Sequence, residues 1–263
     1  MTRVILFTTV LLSSLLTNAQ VSENRTVGAF SKIKVSQGID LVYTQSSAQE
    51  IKVETDDAER MQYIKTEIEG STLRVYLDTK NAPKAGKKKR RKNYNSYDGV
   101  NFDVLKVYVS NSLVDDFRVN SSASLIIQNG LKAEKVSIEC TSSGNFLGTI
   151  KCATAIIEAS SSADVDANIT ADALSVNANS SADVELSGTA EKIPIRTSSS
   201  ADCKAKNLIA KHAVVEASSS SDADVHASER LTASASSSAS ITYFGNPTTV
   251  DKSESSSGSV TKR

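Results

Sequence analysis

Four aspartates, Asp164, Asp183, Asp202 and Asp224, each stand one residue after a short cluster of serines closed by alanine. Carboxylates that recur in one setting can stack into a column, and a column of oxygen donors suits a hard cation such as calcium. The paired-glycine nonapeptide of calcium-loaded solenoids is absent. Serine hydroxyls and backbone amides are therefore the alternative means of relieving a repulsion of roughly 1 to 4 kcal/mol between neighbours at strand spacing. A second concentration of charge is Lys84, Lys87, Lys88, Lys89, Arg90, Arg91 and Lys92, with no acid among them and with Tyr94 and Tyr97 following. Such a run attracts acidic polysaccharide, lipopolysaccharide or extracellular DNA, and the tyrosines can stack on sugars or bases. The plainer reading, which takes precedence, is a solvated, protease-sensitive loop. Cys140, Cys152 and Cys203 are odd in number and cannot all pair internally. His212 and His226 have no cysteine or carboxylate cluster at metal-ligand spacing. No catalytic residue and no cofactor is expected.

The elements that must position these groups announce themselves as a repeat. The clusters end in Ala123, Gly144, Ala163, Ala182, Ala201, Ala223, Ala239 and Gly258, successive ones standing 21, 19, 19, 19, 22, 16 and 19 positions after the one before. A period of roughly 20 residues marks a solenoid, whose units bury an apolar face only by stacking on their neighbours. Two positions after the small residue stand Leu125, Phe146, Val165, Val184, Cys203, Val225, Ile241 and Val260. Six positions before it stand Phe117, Ile138, Ile157, Val176 and Ile195, with Val215 displaced and Ala233 weaker. Polar Glu139, Glu158, Asn177, Arg196 and Glu216 alternate with that second set, which is the in-and-out pattern of a half-buried strand. Each unit reads as strand, serine corner, strand and connection. On this reading Cys203 lies in the ladder of Val184 and Val225, Cys140 with Val119 and Ala159, and Cys152 with Leu131 and Ala171, all as buried free thiols.

The first residues, with Arg3, an apolar run over 4–16 and then Thr17-Asn18-Ala19-Gln20, have the three parts of a secretory signal peptide over residues 1–19. That run is shorter than the roughly 20 residues of an ordinary membrane span, and no second long apolar stretch follows, so no transmembrane segment is expected. Removal of the leader leaves 29 basic and 30 acidic residues; outside the basic run the balance is 22 to 30. An acidic body thus carries one strongly basic segment. Periplasm, outer-membrane surface and secretion to the medium are all compatible with export, whereas binding of intracellular nucleic acid is not.

Residues 27–118 lack the serine clusters but alternate clearly, as in Phe30, Ile33 and Val35, then Ile39, Leu41 and Tyr43. This region begins or caps the coil, with the basic loop over 80–99 inserted in it; Asp56-Asp57-Ala58-Glu59-Arg60-Met61 reads as a turn or two of helix, its acids at the start. Repeats then cover 119–244, and 245–263 form a tail or cap. The segment Phe30-Ser31-Lys32-Ile33-Lys34-Val35-Ser36-Gln37-Gly38-Ile39-Asp40-Leu41, the segment Thr66-Glu67-Ile68-Glu69-Gly70-Ser71-Thr72-Leu73 and the Ser-Ser-Ala-Asp repeats resemble a bacterial family common in Bacteroidetes, the putative auto-transporter adhesins with a head GIN domain. The resemblance covers roughly 27–244 and implies a right-handed parallel β-solenoid. It brings no defined catalytic or ligand site, and the basic run is an insertion outside it.

The expected fold is therefore all-β, a right-handed parallel β-solenoid of coils of roughly 20 residues with an N-terminal β-rich cap. The expected function is that of an exported, non-enzymatic binding or surface-structural module contacting a cell, glycan, matrix component or another envelope protein, with the basic run open to acidic polymers. Homo-oligomerisation stays open. A polysaccharide-active β-helix enzyme and a periplasmic envelope scaffold are the alternatives. Coils this short leave little room for the long loops that build an enzyme groove, and Phe146 is the sole aromatic between Arg118 and Thr242.

Overall fold

A computed structural model describes residues 20–82, 96–97 and 99–263. The leader and the basic run 84–92 lie outside the described residues. The N-terminal part holds β1 (Val21–Arg25), β2 (Lys32–Val35), β3 (Asp40–Gln45), β4 (Glu50–Thr55), a 3-10 helix (Ala58–Tyr63), β5 (Ile64–Glu69), β6 (Thr72–Leu77), the short pair β7 (Ser96–Tyr97) and β8 (Val100–Asn101), and β9 (Leu105–Asn111). Asp57 caps that helix by accepting from the Glu59 N–H, so the acids at its start are there for the exposed amides of the first turn. The coils follow as β10 (Asp116–Asn120), β11 (Ser124–Ile127), β12 (Leu131–Thr141), β13 (Asn145–Ser160), β14 (Asp164–Asn179), β15 (Asp183–Thr197), β16 (Asp202–Ala217), β17 (Asp222–Ala235), β18 (Ser240–Phe244), β19 (Thr249–Glu254) and β20 (Ser259–Lys262).

Every pairing from β10 onward is parallel, and each strand lies on its equivalent one coil away, which is the β-solenoid expected from the period. In the central coils, β13 to β17, the connection anticipated within each unit is itself part of the ladder. β13 pairs with β14 from Asn145 through Ser160, interrupted only at Ala153. A central coil is thus one long bent strand and one corner, while the chain leaves the strands at 128–130 in an early coil and at 245–248 in the last. Inside it the alternate residues stack in columns: Phe117, Ile138, Ile157, Val176, Ile195, Val215 and Ala233 lie side by side through seven coils and are buried. Coils continue past residue 244, because β19 pairs with β17 and β20 with β18.

One backbone solution, which Gln37-Gly38 takes in the first coil, is used in all eight serine corners. Two successive serines in each take the left-handed conformation, from Ser121 and Ser122 to Ser256 and Ser257, with φ between 47° and 64°. For a residue with a Cβ this conformation costs roughly 1–2 kcal/mol, which is why glycine or asparagine is the usual occupant. The bends are held by the backbone: the second serine N–H donates to the first serine carbonyl of the next coil, as in Ser143 to Ser161, Ser162 to Ser180 and Ser181 to Ser199 at 3.0–3.1 Å. The small residue that follows is buried in the first seven corners and partly buried at Gly258 in the last. At Gly144 a Cβ would come within 2.4 Å of the Val119 carbonyl oxygen, so in this coil even a methyl is too large.

One corner departs from the sequence reading. The left-handed pair is Ser219 and Ser220, and the buried small position after it is Ser221, not Ala223. The interval becomes 20 and then 18, and Val215 falls into its column without displacement. Ser221 fits because its hydroxyl lies 2.9 Å from the Thr197 hydroxyl of the preceding coil and accepts from the Ser218 N–H at 3.2 Å. The same correction replaces Val225 by Ala223 beside Cys203, and the pairing places Ala133, not Leu131, beside Cys152.

At the N-terminal end the parallel stack gives way to antiparallel strands. β2 and β3, joined through Gln37 and Gly38, form the first complete coil. β6 and β9 lie parallel on them, one coil further out. β5 then packs antiparallel on β6, β4 on β9, and β1 on β4. Arg25 ties β1 to the start of β5 and to the 3-10 helix, donating to the Ile64 and Met61 carbonyls at 2.5 and 3.1 Å.

Candidate functional site

Two outward faces flank the serine ridge. On the face before the corner the outward rows are Glu139, Glu158, Asn177, Arg196, Glu216 and Ser234, and beside them Thr141, Ser160, Asn179, Ser198, Ser218 and Ser236. These two rows line an open groove of about 740 Å³ spanning six coils. At a strand spacing of ~4.8 Å its length is about 24 Å. Hydroxyls and carboxamides both donate and accept, so the floor can match a ligand rich in hydroxyls whichever way each one points. Arg196 is the cation of these rows, and its Nε donates to Glu216 Oε2 at 3.0 Å. Both partners are largely exposed, so the pair orders the side chains more than it stabilises the fold.

On the face after the corner, the register brings together Asp164, Asp183 and Asp202 of the predicted column, but its fourth member is Asp222. Asp224 stands one row over, beside Lys204. The physical reason is the shifted corner at Ser219-Ser220. In the other direction the column continues through Asn145 and Ser124 to Asp40 and Lys106. Burial, followed by the flanking Asp183 and Asp222 carboxylates, pushes Asp202 above the usual carboxylate value; Lys204 works against this. Lys204 Nζ approaches Asp183 Oδ1 at 3.5 Å, so a lysine in the neighbouring row supplies part of the relief that the sequence reading assigned to hydroxyls and amides. Among the described residues no group of three or more His, Cys, Asp or Glu is placed to hold a metal ion.

The row beyond the aspartates changes character along the coil axis. Tyr108, Val42, Ile126 and Leu147 lie side by side, then Asp166, Glu185, Lys204 and Asp224. Ile126 and Leu147 are 38% and 42% exposed, an apolar step at the edge of the acidic field. Sequence reasoning missed both this step and the groove. The outward set of Glu139 to Glu216 was visible as polar alternation, but nothing in the spacing shows that the face is concave.

The remaining reactive types are placed where they do little chemistry. Burial raises the Cys140 and Cys203 thiols to about 12, and Cys152 is raised by partial burial and by Asp172. These are thiols at neutral pH and weak nucleophiles. His212 Nε2 lies 3.7 Å from Glu229 on the surface, apart from the groove.

Over residues 29–247 the chain matches the family model described as "Putative auto-transporter adhesin, head GIN domain". It belongs to that family. The family's name implies export, and its members are named as adhesins rather than enzymes. No curated protein matches the chain. Among solved structures, a putative adhesin from Parabacteroides merdae is similar at 18% identity and a TM-score of 0.79, covering 93% of this chain and 96% of its own. A putative adhesin from Bacteroides fragilis is similar at 21% identity and a TM-score of 0.64, covering 94% and 98%. A protein from Parabacteroides distasonis described as a putative lipid binding protein shares 25% identity with a TM-score of 0.78, covering 93% and 96%.

Proposed function

We propose that this head GIN domain protein is an exported, non-enzymatic adhesin-like module whose groove before the serine ridge holds an extended hydroxyl-rich polymer such as a glycan. The observation that carries the reading is the groove itself, with hydroxyl, carboxamide and charged side chains repeated across six coils. A ligand laid along the coil axis meets a new pair of polar groups at every strand spacing. Each contact is modest, about 0.5–1.5 kcal/mol for a neutral hydrogen bond, so affinity accumulates with polymer length. The test is titration with neutral and acidic glycan chains of increasing length. Asn177→Ala and Arg196→Ala are each expected to weaken binding about tenfold, within the range of one or two lost hydrogen bonds. Unchanged affinity in both variants removes the groove from the site. Protease shaving of intact cells tests the adhesive role. Confinement to the periplasm converts the reading to an envelope scaffold or periplasmic binder.

The exposed Ile126 and Leu147 favour a second reading, in which this apolar step takes the acyl part of a lipid, as the description of the Parabacteroides distasonis relative suggests for that protein. Leu147→Asp abolishes vesicle binding on this reading and leaves glycan titration unaltered.

A further inference from the structure

The last coil breaks the column rule in two places. The column of Phe117, Ile138, Ile157, Val176, Ile195, Val215 and Ala233 ends in Lys252, and the column of Val119, Cys140, Ala159, Ala178, Thr197, Ala217 and Ala235 ends in Glu254. In all earlier coils these inward positions are buried. A lysine and a glutamate there, two residues apart on β19, face the open end of the core. Both reach across it to the same residue of β20: Val260 N–H donates to Glu254 Oε1 at 2.6 Å, and Lys252 Nζ donates to the Val260 carbonyl at 3.1 Å. The Lys252 ammonium also lies 4.7 Å from the Tyr243 ring centroid.

Val260 is the residue a further coil would use. Ser259 and Arg263 donate backward to Ala239 and Tyr243 at 3.0 Å, so by alternation Val260 and Lys262 turn their N–H and C=O forward, and Val260 is the one of the two that lies in an inward column. A forward-facing pair on a terminal parallel strand is a template for another strand, and inward-pointing charges are one way natural sheets prevent that pairing. We infer that Lys252 and Glu254 form a side-chain lock that closes the C-terminal edge of the solenoid against a second copy of this chain. The occupant excluded is a second copy, since its terminal coil presents the same apolar columns in the same spacing. Removal of both charges presents Val260 and the exposed end of the Ala233 and Ala235 columns together.

The test compares the wild-type chain with Lys252→Val/Glu254→Ala by sedimentation velocity over a concentration series, with far-UV circular dichroism to confirm the fold. The double variant is expected to double its mass or form longer species while the wild type stays monomeric, and Glu254→Gln, which keeps an acceptor oxygen, is expected to stay monomeric with it. A folded double variant that remains a monomer at all concentrations overturns the lock, as does a wild type that associates through this end. Amide hydrogen exchange on the wild type decides the matter if the double variant does not fold. The lock requires Val260 to exchange more slowly than the other forward-facing amides of the terminal coil by on the order of tenfold or more. Equal exchange rates overturn it.

Discussion

The N-terminal coils and the serine repeats enclose the same kind of core in opposite ways. Near the start, large side chains fill it: Tyr43 meets Phe117 at 5.3 Å between ring centroids, and Phe117 meets Phe146 at 6.0 Å, both edge-on. Further along no aromatic is buried until Tyr243, and many inward positions shrink to alanine, among them Ala167, Ala171, Ala178, Ala190, Ala205, Ala210, Ala217, Ala227 and Ala235, all buried beside aliphatic residues such as Val176 and Ile195. Apolar burial yields roughly 25 cal/mol per Å², so each aromatic contributes several times what an alanine does. The early coils therefore gain most from side-chain burial. The later ones gain relatively more from a long, regular backbone ladder and from the narrow core that small residues permit. Local stability is expected to fall from the aromatic end toward the repeats.

The largest expected effect tests this contrast within one column. Phe117→Ala is expected to destabilise by about 3–5 kcal/mol, the usual range for a buried aromatic. Val176→Ala, in the same column three coils on, removes only two methylene-sized groups and is expected to cost about 1.5–2 kcal/mol. Urea unfolding of both measures the difference, and equal costs would mean that the aromatic cluster is not the stronger part of the core.

A smaller effect, of opposite sign, belongs to the corners. Ser180→Gly with Ser181→Gly relieves two left-handed serines, φ 53° and 59°, at roughly 1–2 kcal/mol each, while glycine returns about 0.5–1 kcal/mol through greater freedom in the unfolded chain. The pair is expected to raise the unfolding midpoint. A drop would show that the exposed hydroxyls contribute to the ridge beyond their backbone.

The smallest effect is a pH dependence. Asp202 is raised in the folded protein by burial and by its acidic neighbours, so the folded state holds this proton more tightly than the unfolded one. Its contribution is favourable below the unfolded value, near pH 4, and is lost as pH rises through the raised folded value. Asp202→Asn is therefore expected to raise the thermal midpoint at neutral pH and to leave it unchanged near pH 3.

Much of this architecture could be read from the residues alone, because a solenoid writes its period into the chain. The alternation of Ile157, Glu158 and Ala159 is the section through one strand, and the Ser-Ser-Ala cluster is the bend. The reading failed at Ser221 because a search for alanine found Ala223 two residues later. What defines the corner is the pair of left-handed residues before the small position, and a serine fits that position when Thr197 offers it a hydroxyl. The run Ser218-Ser219-Ser220-Ser221 was the available signal, since it restores intervals of 20 and 18. The groove was not legible for a different reason: concavity arises from how successive bent strands lie on each other, and polar alternation looks the same on a flat face and a hollow one.

The uniform corner also bears on how such a chain changes over generations. Residues 161–165 and 180–184 both read Ser-Ser-Ala-Asp-Val, and the backbone at the two places is the same. An exchange between these points removes or duplicates one whole coil in frame. The interior neighbours meet an equivalent partner, while the antiparallel start and the charged last coil are untouched. Gain or loss of one coil changes the length of the groove by about 4.8 Å without new contacts having to be invented. Length in this molecule is a heritable quantity that moves in whole steps.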